Sequence, residues 1–471
     1  MKNGVFARGA TGTRPRARLA RFTLVAGLLA FAVLPASAQE PQAQEQAATP
    51  RMITFREAIE LALERNPTVR TARNNLRLDE IAVRQEKTSF LPDLRFSTST
   101  SQRYGRNFSQ DEGRIINTTT NSFNGSISSG LTLFDGFANV NSLRSARLTE
   151  EAGEYEVERA EQTVVFNVMS NYLALIEARE QVVVQEENLA AQQALEADIA
   201  ARVQQQVRPI SDLYQQQASV ASARLALVQA QRSAALAEMQ LLQTLQLDPT
   251  QDYEFEIPEV SAVQTELDSL DLEEATARAL QQRADFIAAQ TMVQASEHQV
   301  KVARGSYWPT ISLSANYSSN FSSLDETSFF DQLDNRRGGS LGVSFSIPLF
   351  DRLNTRNATE RARIQVENAR INLETLRQDV AVQIRTAMLD LQSAREQLAA
   401  AEAQLRAAEL ALQFSQQRYD VGAGSLVELT QAQTAQVRAA SDLVSARYRL
   451  VFQTRLMDYY LGGMTPETPL N

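Results

Sequence analysis

The sequence has no cysteine, one histidine and one tryptophan in 471 residues. Without cysteine there is no disulfide framework, no thiolate metal site and no lipid-modified cysteine to anchor an exported chain. With a single histidine, His298, there is no imidazole pair at metal spacing. A Ser-His-Asp relay would have to use that residue inside a helical repeat, with no nucleophile elbow beside it. A glycine-rich loop that could cradle phosphate is also missing. The chain is therefore read as a non-enzyme, with no catalytic, cofactor-binding or metal residues, and His298 is assigned no role. Proline is absent between Pro92 and Pro209 and again between Pro348 and Pro466, and glycine is absent from 352 to 421. Such stretches can carry very long helices, because proline and glycine are the main helix breakers. After the first 40 residues no run reaches 18 apolar residues, which excludes a later transmembrane helix.

The first 38 residues read as a secretory signal peptide: six basic residues, an apolar run over 22–34, then Ala36-Ser37-Ala38 as a cleavage site. Removing them moves the formal charge from -10 to -16. A chain this acidic is a poor partner for nucleic acid. Residues 39–51 read as a polar, disordered leader.

An internal duplication organises the rest. At an offset of 217, Glu57-Ala58 falls on Glu274-Ala275, Ala62-Leu63 on Ala279-Leu280, and Pro92 on Pro309. Further on the offset is 216: Leu133-Phe134-Asp135 falls on Leu349-Phe350-Asp351, and Arg202 on Arg418. The expected division is repeat 1 over 52–262, repeat 2 over 263–463, and a tail over 464–471. Each repeat is expected to hold a first helix, two strands, a long helix, a turn (207–211 or 421–425) and a returning helix of about 35 residues. In repeat 2, Val380, Ile384, Ala387, Leu391, Ala394, Leu398, Ala401, Leu405, Ala408 and Leu412 alternate spacings of four and three. That is a heptad seam. Repeat 1 has a looser version through Val164, Val168, Leu175, Ala178, Val182 and Leu189. Seventy helical residues would span roughly 100 Å.

Between first and long helices the period changes to two. Leu94 and Phe96, then Phe123, Ile127, Leu131 and Leu133 share faces in repeat 1; Ile311, Leu313, Ala315 and Tyr317, then Leu341, Val343, Phe345, Ile347 and Leu349 do so in repeat 2. The opposite faces are Ser, Asn and Thr, as membrane β-barrel strands require. Phe90, Tyr307 and Trp308 stand at the strand entrances, where an interfacial aromatic belt would lie. Four strands cannot close a membrane barrel, which needs about eight; a shared barrel of about twelve strands from three chains would suffice. A soluble periplasmic coiled-coil adaptor or structural protein, its strands packed as an ordinary hairpin, is the alternative reading.

The duplication, the strands closed by Leu349-Phe350-Asp351, the long helices and the turn Arg418-Tyr419-Asp420-Val421-Gly422 resemble TolC-type outer membrane efflux proteins over residues 52 to 463. The resemblance implies a mainly α fold with β: a helical coiled-coil barrel fused to a transmembrane β-barrel shared by a homotrimer. It implies an outer-membrane channel subunit of a tripartite efflux or type I secretion system. Its partners would be a periplasmic adaptor (membrane fusion) protein, an inner-membrane transporter and outer-membrane lipid. It would sit in the outer membrane of a Gram-negative-type bacterium with a long periplasmic extension. By the same resemblance Glu428, Asp212 and Tyr419 form the periplasmic gate or constriction, and Arg418, Val421 and Gly422 the adaptor-docking tip. Gln431 and Gly424 stand where the family has a second acidic ring and a gate arginine, and Gln206 where it has a turn glycine. Glu428 has a plainer reading as a solvated residue beside a helix N-terminus.

Overall fold

The computed structural model describes residues 51–109, 113–256 and 271–470. The signal peptide and nearly all of the leader lie outside them. The strand β1 (Arg51–Ile53) begins inside the span expected to be leader and pairs in parallel with β4 (Tyr253–Phe255). This two-stranded sheet has no counterpart in the sequence reading, because three residues are too few to show a period.

The expected first helix of each repeat is two helices. In repeat 1, α1 (Phe55–Arg65) starts on Thr54, whose hydroxyl accepts the Glu57 N–H at 3.2 Å. It stops at Asn66, and α2 (Pro67–Thr88) begins at once. Asn66 is extended (φ -61°, ψ 129°) because it precedes proline, and its side chain accepts the Thr68 N–H at 2.9 Å. In repeat 2, α5 (Leu272–Gln282) and α6 (Ala284–Gly305) break the same way at Arg283.

The long helices are α3 (Ala138–Gln204) and α8 (Asn354–Asp420), 67 residues each, roughly 100 Å at ~1.5 Å per residue. Each is returned by a 36-residue helix, α4 (Ile210–Leu245) and α9 (Leu426–Leu461). The Leu-Phe-Asp motif caps the long helices. Asp135 accepts the Asn139 N–H at 2.9 Å, and Asp351 accepts the Thr355 N–H at 2.7 Å. Both entrances turn through left-handed residues, Gly136-Phe137 and Arg352-Leu353. A Cβ on Gly136 would run into the Gly305 carbonyl, so glycine lets α3 start against the end of α6.

The main core lies where α1, α3, α4 and α9 meet the small sheet. Tyr172 is fully buried there, edge-on to Phe55 at 5.3 Å and Phe255 at 6.0 Å, and its hydroxyl donates to the Glu256 carbonyl. Met464 and Leu470 of the C-terminal tail join it. A second cluster packs Val380, Ile384 and Ala387 of the α8 seam against Met457 and Leu461.

The second sheet has the order β2-β3-β5-β6, antiparallel throughout: β2 (Arg95–Ser109), β3 (Arg114–Phe134), β5 (Thr310–Ser322) and β6 (Gly338–Ser346). β6 ends before the expected Ile347 and Leu349, because Pro348 has no N–H to donate. The register places Phe96 beside Ile127, Ile127 beside Tyr317, and Leu313 beside Val343 on one face. The other face carries Ser97, Ser126, Ser318 and Ser344, with Ser97 and Ser126 hydrogen-bonded at 2.7 Å. Among the described residues nothing covers the apolar face of β6: Leu341, Val343 and Phe345 are all exposed. The connection from β5 to β6 holds an unexpected short helix, α7 (Phe329–Asn335).

Candidate functional site

The two helix turns come together at the far end of the long helices. At the first, Gln206 adopts φ 62° and the Val207 N–H donates to the Arg202 carbonyl at 2.9 Å. At the second, Gly422 adopts φ 75° and the Ala423 N–H donates to the Arg418 carbonyl at 2.8 Å. Both close their helix by the same left-handed device, which glycine adopts freely and glutamine does not. Gly424 is also constrained. A Cβ there would sit 3.2 Å from the Tyr419 nitrogen, so the residue in the expected gate-arginine position serves the turn.

Tyr419 is fully buried, packed with Leu195, Ile199, Leu426 and Leu429. Arg208, from the opposite turn, lies over its ring at 4.2 Å and donates to its carbonyl at 2.9 Å. Burial raises the Tyr419 phenol above its ordinary value; Arg208 opposes this and the Asp212 charge reinforces it. The Tyr419 hydroxyl is buried without a hydrogen-bond partner. The structure therefore brings Tyr419 and Asp212 into one electrostatic neighbourhood, without a bond between them. Asp212 lies in the first turn of α4, and Glu428 holds the equivalent place in α9.

Glu428 is about half exposed. Its N–H is capped by Ser425 at 3.2 Å, and its carboxylate lies 3.4 Å from Arg418. Arg418 also donates to the Ala423 carbonyl at 3.2 Å. Both the constriction reading and the plainer helix-start reading fit this position. Val421 is strongly exposed at the tip.

Several residues bind the turns together that the sequence did not single out. Arg202 bridges Asp198 on its own helix (2.8 Å) to Asp420 on α8 (3.2 Å). Its alignment with Arg418 was the available signal. Deeper in, Gln216 is buried and donates to the Gln192 carbonyl (2.9 Å) and side chain (2.8 Å), while Gln192 donates to Gln433 at 3.2 Å. Glutamines are so common on these helices that the sequence offers no way to pick out these three. Beside them a groove of about 650 Å³ runs between α3, α4 and α9, lined among others by Asn188, Gln215, Thr434 and Arg438. A second, of about 670 Å³, lies between α3, α8 and α9 and includes Asp198, Arg202, Glu409 and Asp420.

At the other end of the helices Phe90, Tyr307 and Trp308 occupy the turns into the strands, all three exposed. Among the described residues no helix is long and apolar enough to cross a membrane.

Comparison with known proteins agrees with this architecture. Residues 58–245 and 275–463 match the family model described as outer membrane efflux protein. The chain is 28% identical over 397 residues to Protein CyaE of Bordetella pertussis, covering 84% of this chain and 79% of that protein. Among solved structures it is similar in fold to CusC, with a TM-score of 0.75 and 21% identity over 87% of this chain and 92% of CusC. It is also similar to the outer membrane protein VceC from Vibrio cholerae, with a TM-score of 0.75 and 18% identity over 87% of this chain and 96% of VceC.

Proposed function

The chain belongs to the outer membrane efflux protein family, channels and not enzymes, and from that premise we propose that three copies form one continuous duct serving a tripartite efflux or type I secretion system. The observation that carries this is the four-stranded sheet. Among the described residues its edges β2 and β6 have no further strand partner, one face is apolar and exposed, and the other is Ser- and Asn-rich. An open edge and an uncovered apolar face are liabilities in water. Pairing β2 of one copy with β6 of the next closes a twelve-stranded barrel, apolar to lipid and hydroxylated inside. The helices support the same assembly: Ile364, Ile371, Val382 and Leu389 leave a second apolar set exposed on α8. Phe90, Tyr307 and Trp308 then mark the membrane boundary nearest the helices.

The periplasmic end is the candidate gate. Three copies of Glu428 around the axis would concentrate negative potential and favour cations. The exposed turn residues Arg418, Val421 and Gly422, together with the grooves between the helices, are the surface offered to a periplasmic adaptor, which would link the duct to an inner-membrane transporter. The first test is the native mass of protein extracted from outer membranes in detergent, expected near three chains; a monomer in the aqueous periplasmic fraction would refute the shared barrel. Planar-bilayer recording of Glu428→Ala should show reduced cation preference, and unchanged selectivity would remove Glu428 from the constriction.

A further inference from the structure

The connection between β5 and β6 is an ordered cap, and it lies on the outer face of the sheet. Gln332 of α7 is buried and organises it: its side chain accepts the Ser322 N–H (2.9 Å) and donates to the carbonyls of Thr327 (2.8 Å) and Ser322 (3.1 Å). Arg336 pairs with Asp325 across the same turn. Ser319 donates to the Leu333 carbonyl at 2.6 Å, and the Phe329 ring packs on Phe321 at 5.0 Å and Phe123 at 5.5 Å. Phe321 and Phe123 are register partners, and Ser319, Phe321 and Phe123 share their face with Tyr317 and Ile127. That is the apolar face. A lid over a lumen would have to lie toward the Ser- and Asn-rich face instead. Phe330, next to the anchored Phe329, remains 78% exposed.

We propose that α7 is an interfacial anchor that seats Phe330 at the acyl-headgroup boundary of the outer leaflet; this rests on the shared-barrel reading above. The height fits. Ser319 to Ser322 lie nine to twelve residues along β5 from Thr310, or roughly 30 to 40 Å at ~3.4 Å per residue. At a strand tilt of about 40° this is roughly 23 to 31 Å above the strand start, near the upper edge of an apolar band about 25 Å tall. The Phe90, Tyr307 and Trp308 positions mark the lower edge. α7 thus supplies aromatic surface at the upper edge, on a patch continuous with the face that meets lipid. Lipid is favoured over water for an exposed ring held rigidly at that depth.

The single native tryptophan makes the test direct. The trimer carrying Trp308→Phe and Phe330→Trp is reconstituted into phosphatidylcholine vesicles with brominated acyl chains, which quench indole on contact. A matched protein carries Trp308→Phe and Phe345→Trp, reporting on the sheet itself. Quenching at both positions, with loss of quenching at 330 when Gln332→Ala is added, supports the anchor. Quenching at 345 but not at 330 overturns it and leaves the barrel standing, whether position 330 is in water or shielded by another copy. Quenching at 330 that survives Gln332→Ala overturns the role of the ordered cap. No quenching at 345 removes the barrel reading and the anchor with it.

Discussion

The residue in the left-handed region is Gln206 at the α3–α4 turn and Gly422 at the α8–α9 turn. The helix break is Asn66 in repeat 1 and Arg283 in repeat 2. The backbone dihedrals at these joints nearly coincide, while the side chains holding them differ in kind. Asn66 is a neutral amide that caps Thr68 two residues on and donates to the Thr244 carbonyl of α4 at 3.2 Å. Arg283, 2% exposed, is instead a buried cation, paired with Asp285 two residues on at 2.6 Å and donating to Gln383 of α8 at 2.8 Å. At the tips the copies differ in reach: Arg418 bonds within its own turn, whereas Arg208 of repeat 1 reaches across to Tyr419. A duplicated backbone has thus kept its geometry while each copy found a separate chemical means of holding it.

The largest effect is expected at the helix breaks. Asp285→Ala leaves the Arg283 guanidinium buried without its counter-ion, a loss of about 3–5 kcal/mol. The equivalent Thr68→Ala, at an exposed site, should change stability by less than about 0.5 kcal/mol. Chemical denaturation of the two variants measures the gap, and equal effects would break the comparison. Burial alone would raise the Asp285 carboxyl, but the Arg283 hydrogen bonds and the nearby Arg159 outweigh it and hold it below 3.8. Its contribution is therefore in place above that value and is lost as the pH falls through its lowered pKa. The acid limb of stability should flatten in Asp285→Ala.

Next come the turns. Gly422→Ala should destabilise its turn by about 1–2 kcal/mol, and Gln206→Gly should recover a similar or smaller amount at the other. Hydrogen exchange across residues 199–212 and 415–430 should therefore move in opposite directions. A smaller effect than at the turn glycine is expected at Tyr419→Phe. Removing a buried hydroxyl that has no partner should stabilise the tip by about 1 kcal/mol. A loss of stability, or a channel that leaks in bilayer recording, would mean that the hydroxyl finds Asp212 or another acceptor in the assembled trimer.

The long helices were legible because their signal is repeated over some seventy residues: no proline in either, no glycine in α8, and a seam at Val380, Ile384, Ala387 and Leu391 that is buried as its period requires. The strand faces were legible for the same reason. β1, β4 and α7 were not, since elements of three or seven residues carry too little pattern. The tip was half legible. Tyr419, Asp212 and Glu428 do lie near the turns, but Arg208, Arg202 and Gln216 act through partners more than twenty residues to over two hundred residues away.

By itself the sequence determined periodicity: which stretches are helix or strand, which face of each is apolar, and that the pattern occurs twice. These are local properties, set by residue type and spacing along the chain. Only the tertiary structure decided which partner on another element each joint's side chain finds, and that α7 lies on the apolar side of the sheet. Those outcomes depend on distances between residues far apart in sequence, and periodicity carries no information about them.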